Sequence, residues 1–188
     1  MAGMGLTTYY IFASLDGFVA AEDNGLDWLY GLDAADRDFS DFLAGVGAFA
    51  MGSSTYESVL RDSGLLEHPE RWLEGHRGRP AWVFSSRELP VIPGADITFV
   101  NGDVAPVHAA MVAAAGEKDV FIAGGGGLAA RFAAAGLLDR MVVGVAPAIL
   151  TAGKPLFPSV LTPAELRLEQ VERVGQIAYL TYVVATSR

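Results

Sequence analysis

Two stretches about seventy residues apart constrain the fold of this chain more than anything else in it: Ala48-Phe49-Ala50-Met51-Gly52-Ser53-Ser54-Thr55-Tyr56 and Val120-Phe121-Ile122-Ala123-Gly124-Gly125-Gly126-Gly127-Leu128. Each is a short apolar run that passes straight into small residues and then into a helix-forming segment. A strand that turns at once into a helix leaves the first backbone N–H groups of that helix without intrahelical partners, with the positive end of the helix dipole behind them. Glycine lets an anion approach the backbone closely, so the pair of turns predicts two anion seats serving one dinucleotide. Taken alone, the four glycines would equally suit a flexible turn or a tight helix–strand contact.

The rest of the chain agrees with an α/β fold. At 188 residues with 52% hydrophobic residues it can bury one large core, and a single domain over residues 1–188 is expected. No apolar run approaches the roughly 18 residues that a membrane span needs, and the first residues show neither a basic start nor an apolar stretch of signal-peptide length. Cysteine is absent, which excludes disulfides and thiolate chemistry and fits a cytoplasmic location. A net charge of −9 argues against nucleic acid as a partner and requires local donors for any anionic cofactor. The three histidines, His68, His76 and His108, have no metal-ligand spacing, and no metal is expected.

Along the chain, Thr7–Ala13 reads as a strand and Ser14–Asp33 as a long loop with turn signals at Asp16-Gly17 and Asp23-Asn24-Gly25. A loop of that length inside a compact domain suggests a functional role such as covering a site. Asp33 has the character of a helix N-cap, and Phe39, Phe42, Leu43 and Val46 follow at helical spacing. Ser54 with Glu57 forms a capping-box pattern for the helix after Gly52, and the polar stretch 61–80 reads as surface loop. Strands are expected at Ala81–Phe84, Ile97–Val100, Asp119–Ala123, Met141–Ala146, Leu166–Val174 and Ile177–Ala185, the last two forming a hairpin about Gly175-Gln176. Asp103 caps a helix running to Gly116, and Leu128–Ala135 is a helix stopped by Gly136. Strands alternate with helices until about residue 140 and then dominate. This is a parallel-rich sheet with antiparallel C-terminal strands and helices on both faces. Ligands of such sheets lie at the carboxyl ends of the strands, where the Gly52 turn, Ser85-Ser86-Arg87 and the tetraglycine all fall.

The ordered set Ser14-Leu15-Asp16-Gly17-Phe18-Val19-Ala20, Asp27-Trp28-Leu29, Met51-Gly52-Ser53-Ser54-Thr55-Tyr56-Glu57, Phe84-Ser85-Ser86-Arg87, Ile122–Leu128, Gly136-Leu137-Leu138-Asp139, Val145-Ala146-Pro147 and Leu150–Pro158 resembles the dihydrofolate-reductase-like superfamily. The nearer resemblance is to the C-terminal reductase domain of the bifunctional riboflavin-biosynthesis protein. It implies a three-layer sandwich and an NADPH-dependent reductase acting on a heteroaromatic or ribosylaminopyrimidine-type substrate, as does 5-amino-6-(5-phosphoribosylamino)uracil reductase. The alternatives are dihydrofolate reduction and a dinucleotide- or flavin-binding protein without turnover. A homodimer is one expected assembly.

Residue by residue, the resemblance implies that Gly52, Ser53, Ser54 and Thr55 meet cofactor phosphates and that Gly124, Gly125, Gly126, Gly127 and Leu128 wrap the pyrophosphate. It places Val19 and Ala20 beside the nicotinamide, and Ser85, Ser86 and Arg87 around the adenosine ribose phosphate. It also implies a cis peptide at Gly124-Gly125. The family commonly carries an arginine directly after the Gly52 position to hold the 2′-phosphate; here that residue is Ser53, which leaves Arg87 as the nearby cation. In folate-reducing relatives a carboxylate five residues past a loop tryptophan binds the substrate. Asp33 stands five residues past Trp28, with Asp27 and Asp36 as alternatives and a plain helix cap as the structural one. Trp28 is suited either to the core or to closing over a flat ring and excluding water.

Overall fold

The computed structural model describes residues 5–29, 32 and 39–185. The apolar, β-branched runs form an eight-stranded sheet in the order β5-β4-β3-β6-β1-β7-β10-β9. Its members are β1 (Thr7–Ser14), β3 (Val46–Gly52), β4 (Ala81–Phe84), β5 (Ile97–Val100), β6 (Asp119–Gly124), β7 (Arg140–Ala146), β9 (Leu166–Val174) and β10 (Ile177–Val184). The six strands from β5 to β7 are parallel, β10 runs antiparallel to β7, and β9 runs antiparallel to β10. Strands β1, β3, β4 and β6 are buried on both faces, as the continuous apolar runs require. A second, two-stranded ribbon pairs β2 (Phe18–Ala20) with β8 (Lys154–Pro155).

Two cores lie on opposite faces of the sheet. On one face, α4 (Val104–Ala115) and α5 (Gly126–Ala134) bury Met111, Leu128, Ala129 and Phe132 against Tyr9, Ala50 and Ile122. On the other, α2 (Ser53–Ser63) and α3 (Glu70–His76) bury Tyr56, Leu60 and Trp72 against Phe49, Met51 and Val83. The short α1 (Phe39–Ala44) adds Phe42, whose ring meets Tyr10 and Phe121 edge-on at 4.9 and 5.1 Å. Val46 does not continue that helical face but opens β3.

The polar stretch 61–80 is not surface loop. Helix α2 runs to Ser63, where Gly64 adopts the left-handed conformation (φ 57°), and α3 follows. The cause is Trp72, 2% exposed, against which His76 one turn later stacks at 3.8 Å between ring centroids. One aromatic anchor fixes a short helix whose other side chains are polar. His76 lies in that helix too, its Nδ1 3.0 Å from the Trp72 carbonyl, and burial pushes its pKa down. Asp103 caps α4, its carboxylate accepting from Ala105 N–H at 3.1 Å.

Candidate functional site

The strand order reverses between β3 and β6. The chain leaves β3 toward one face through α2 and leaves β6 toward the other through α5. A crevice at the carboxyl ends of the strands opens at such a point. Met51 of β3 is in register with Gly124 of β6, so the two glycine turns adjoin. A Cβ built on Gly124 would stand 3.0 Å from Thr55 Oγ1, and one on Gly52 would stand 3.9 Å from the Gly125 nitrogen. Gly124 has φ 139°, a conformation that glycine alone adopts easily, and the Gly124–Gly125 peptide is cis, as the resemblance implies.

Both helices that start here do so without a side-chain cap. The N-cap of α2 is Gly52 and that of α5 is Gly125, each extended and neither with a side-chain hydrogen bond. This corrects the capping-box reading. Because β3 runs directly into α2, Ser54 is already the second helical residue, and the Glu57 carboxylate turns to Arg87 instead. Two helix N-termini therefore adjoin at the reversal, and among the described residues no carboxylate or hydroxyl caps either.

The other wall of the site is the β2–β8 ribbon. Phe18 pairs with Pro155 and Ala20 with Lys154, and Leu156 N–H donates to the Gly17 carbonyl at 2.8 Å. Val19 and Ala20 are each 9% exposed. The ribbon is joined to the start of α5: a Cβ on Gly126 would lie 2.3 Å from the Leu156 carbonyl oxygen, so only glycine admits that approach. Tyr9, fully buried in the central strand, donates its hydroxyl to the same carbonyl at 3.1 Å, and burial raises its pKa well above the usual phenol range. Of the expected cofactor residues, Gly52, Thr55, Gly124 and Gly125 adjoin at the reversal, the ribbon that carries Val19 and Ala20 meets the start of α5 at Gly126 through Leu156, and the side chains of Val19 and Leu128 pack into the core.

Asp16 is not confined to its own turn. Its carboxylate accepts from the Ser14 hydroxyl at 2.6 Å and from the backbone N–H groups of Leu150 and Thr151 at 3.1 and 2.7 Å. The Ser14 hydrogen bond and these two donors hold its pKa below the ordinary carboxylate range. It ties the turn after β1 to the segment after β7. Asp139 serves a comparable structural purpose, accepting from Thr7 N–H at 2.8 Å.

Phe84, the last residue of β4, is in register with Gly52, so Ser85-Ser86-Arg87 follows beside the start of α2. The Ser85 hydroxyl folds this turn, accepting from Arg87 N–H at 3.0 Å and donating to the Arg87 carbonyl at 2.8 Å. The Arg87 guanidinium is held by both carboxylate oxygens of Glu57, at 3.0 and 2.8 Å. The cation expected to meet the adenosine ribose phosphate therefore follows the end of β4 beside α2, and it is already paired with a carboxylate. Reading the sequence as a capping box hid Glu57; the signal that could have found it is the single cation placed opposite one free carboxylate on the facing helix turn.

Trp28 lies in a single 3-10 turn, Asp27–Leu29, with its indole Nε1 buried and, among the described residues, without a hydrogen-bond partner. Nearby, Asp23, Gly25, Leu26, Asp27, Arg61 and Asp62 line a cleft of about 430 Å³. Arg61 is already paired with Asp62 at 3.0 Å. Asp33 and Asp36 lie outside the described residues. Among the described residues no group of acidic and histidine side chains is arranged to hold a metal, and no helix is long and apolar enough to cross a membrane.

The residues present fit a dinucleotide. Two uncapped helix N-termini supply backbone donors for a pyrophosphate, and a Cβ at Gly127 would meet nothing within 4 Å, so the approach to α5 is open. Comparison with known proteins agrees with this geometry. Residues 7–180 match the model of the RibD C-terminal domain. The uncharacterized protein YwjB of Bacillus subtilis is 30% identical over 180 residues, covering 95% of this chain and 98% of its own length. A solved Shewanella protein, named as a candidate riboflavin biosynthesis protein, superposes with a TM-score of 0.76 at 26% identity over 96% of this chain and 99% of its own. Dihydrofolate reductase from Enterococcus faecalis, solved with NADP(H), shares the fold at a TM-score of 0.58 and 15% identity over 96% and 97% of the two chains. With its parallel-rich sheet, its paired glycine turns and a match spanning nearly its whole length, the chain belongs to the RibD C-terminal domain family, on a dihydrofolate-reductase-like fold.

Proposed function

We propose that the protein is an NADPH-dependent reductase that passes hydride to a small heteroaromatic or ribosylaminopyrimidine-type substrate. The observation that carries this reading is the meeting of two uncapped helix N-termini at the β3/β6 reversal, beside an apolar wall formed by Val19 and Ala20. When bound, the dinucleotide supplies the hydride. The chain's own residues hold and shield it. Backbone N–H groups of Ser53–Thr55 and Gly126–Gly127 take the phosphates, with the two helix dipoles favouring negative charge there, while Leu128 N–H is spent on the Gly125 carbonyl at 3.0 Å. Val19 and Ala20 flank the ring that carries the hydride, and Trp28 closes over the flat substrate and excludes water. Asp33 binds the substrate edge and supplies the proton that the reduced atom takes up. The protein acts in the cytoplasm, in keeping with its lack of cysteine, and a homodimer is the assembly we propose.

The test is ligand-dependent stability. NADPH stabilises only the folded state and should raise the melting temperature as its concentration passes Kd. Gly125→Val should abolish that rise. A Cβ at Gly125 has its nearest neighbour, Thr55 Oγ1, at 4.0 Å, so the first atom of a side chain meets no steric obstacle in the fold but stands in the proposed phosphate seat. A folded Gly125→Val protein that responds to NADPH as the wild type does would remove the tetraglycine as the pyrophosphate seat.

A further inference from the structure

The Glu57–Arg87 pair has a consequence for which dinucleotide the site takes. It stands where the adenosine end of the cofactor would lie under the dinucleotide reading proposed above. The strand order β4-β3-β6-β1 spaces the site over three strand intervals, about 14 Å at the usual spacing. With the pyrophosphate at the β3/β6 reversal and the apolar ribbon beyond β1, the adenosine end falls toward β3 and β4, beside Ser53 and Ser85-Ser86-Arg87.

NADPH differs from NADH by one phosphate on the adenosine ribose, a doubly charged group that gains affinity when a free guanidinium takes it in a bidentate grip. Here the guanidinium is taken. Both Arg87 nitrogens that would meet a phosphate bond the two oxygens of Glu57, at 3.0 and 2.8 Å, and the Ser85 hydroxyl is engaged with the Arg87 backbone. Arg131 is the other cation near the end of β4 among the described residues. It lies over the Phe84 ring at 5.4 Å and donates to the Gly102 carbonyl, on the sheet face covered by α4 and α5, whereas Arg87 lies beside α2. Ser53, directly after the turn glycine, is neutral, and the chain as a whole is anionic.

We infer that Glu57 is a specificity-determining residue: by pairing with Arg87 it withholds the guanidinium from the 2′-phosphate, so that NADPH binds little more tightly than NADH. The pair is exposed, with Arg87 59% and Glu57 39% accessible at the side chain, so it is not needed to hold the fold together and can be altered without unfolding it.

The experiment is direct binding. Dissociation constants for NADPH and NADH are measured by titration calorimetry for wild type, Glu57→Gln, Arg87→Ala and the double variant, with the ligand-free melting temperature of each as a folding control. In the wild type the two constants should lie within about tenfold of each other. Glu57→Gln keeps the packing and removes the charge. It should tighten NADPH by about tenfold or more, the scale of a charge-assisted hydrogen bond gained, and leave NADH unchanged. Adding Arg87→Ala to it should erase that gain. Glu57→Ala, which removes the carboxylate altogether, should act in the same direction. A wild-type preference for NADPH of 100-fold or more, or a ratio that moves less than threefold in both Glu57 variants, overturns the inference while leaving the dinucleotide reading standing. Failure of the wild type to bind either dinucleotide overturns both.

Discussion

The carboxyl edge of the sheet is finished in two different ways. On either side of the β3/β6 reversal the chain satisfies its own backbone with carboxylates: Asp103, after β5, caps α4, and Asp16, after β1, takes the N–H groups of Leu150 and Thr151. At the reversal itself, on the same edge, the two helices begin on Gly52 and Gly125, and among the described residues no side chain caps either. Helices α4 and α5 sharpen the contrast, because they pack on the same face and start from the same end of the sheet. A carboxylate at the start of α5 would stabilise that helix, as it does α4. The glycine starts of α2 and α5 leave that position empty at the reversal, where we propose that the ligand phosphates sit; α3, which begins after Pro69, also lacks a side-chain cap.

The largest effect that could break this comparison is at Gly126. Its place in the glycine run suggests cofactor binding, yet its missing side chain is explained by packing: a Cβ would lie 2.3 Å from the Leu156 carbonyl oxygen and 2.8 Å from that of Pro155. Both obstacles are backbone, so Gly126→Val must displace the β8 segment, at a cost of about 3 kcal/mol or more. For a chain of this size that is a fall in melting temperature of about 6–12 °C without any ligand. Gly125→Val, with its open surroundings, should lower the ligand-free value far less. If calorimetric melting shows the two variants equally stable, the division of the glycine run into a packing position and a seat is wrong.

Asp33→Asn comes next and concerns chemistry rather than folding. Asparagine caps a helix about as well as aspartate but carries no charge and does not titrate. Stability should hold and dinucleotide binding should survive, while turnover of the native substrate should fall by roughly 10²-fold or more. Wild-type turnover by the variant would leave Asp33 as a cap and move the search to Asp27 or Asp36.

Much of this was legible beforehand because strands buried on both faces write themselves as unbroken apolar runs. The strands at Ala48–Met51, Ala81–Phe84 and Asp119–Ala123 could be read from their apolar runs, although β3 opens two residues earlier at Val46, and the glycines after two of them marked the reversal. What escaped reading depends on partners far away in sequence. Helix α3 is written in polar residues around one tryptophan, and only the packing of Trp72 against Phe49 and Tyr56 reveals it. Glu57 obeys the local capping pattern, but its partner Arg87 is thirty residues on and outcompetes the local bond. Likewise Asp16 sits in a turn signal, while its acceptor capacity is used more than 130 residues away.

A smaller prediction tests the satisfied part of the edge. Asp103→Ala removes the one cap of α4 and leaves Ala105 N–H to water. The expected loss is about 1 kcal/mol, or about 2–4 °C in melting temperature, with NADPH affinity unchanged. A weakened affinity for NADPH in this variant would mean that the capped and uncapped starts are coupled, and the contrast between them would lose its meaning.

The smallest effect belongs to Asp16, and pH reads it. Its carboxylate is fully exposed, yet the Ser14 hydroxyl and the N–H groups of Leu150 and Thr151 favour its charged form, so its pKa is lower in the folded protein than in the unfolded chain. A depressed carboxylate pKa contributes stability that is fully present above the unfolded value, about 3.9, and is lost as pH falls through the folded one. Asp16→Asn keeps one acceptor oxygen and removes the titration. The wild type should therefore melt above the variant near neutral pH, and the two curves should converge as pH falls below about 4. Solvent around the group keeps the difference small, so it is best read as a ratio of melting curves taken side by side across the pH series. A gap that stays constant down to pH 2 would show that the carboxylate's charge does not hold the β1 turn to the segment after β7. That end of the edge would then be closed by its backbone contacts alone, such as Leu15 N–H to the Ala148 carbonyl at 2.7 Å, and the difference between the two parts of the edge would reduce to the cap on α4.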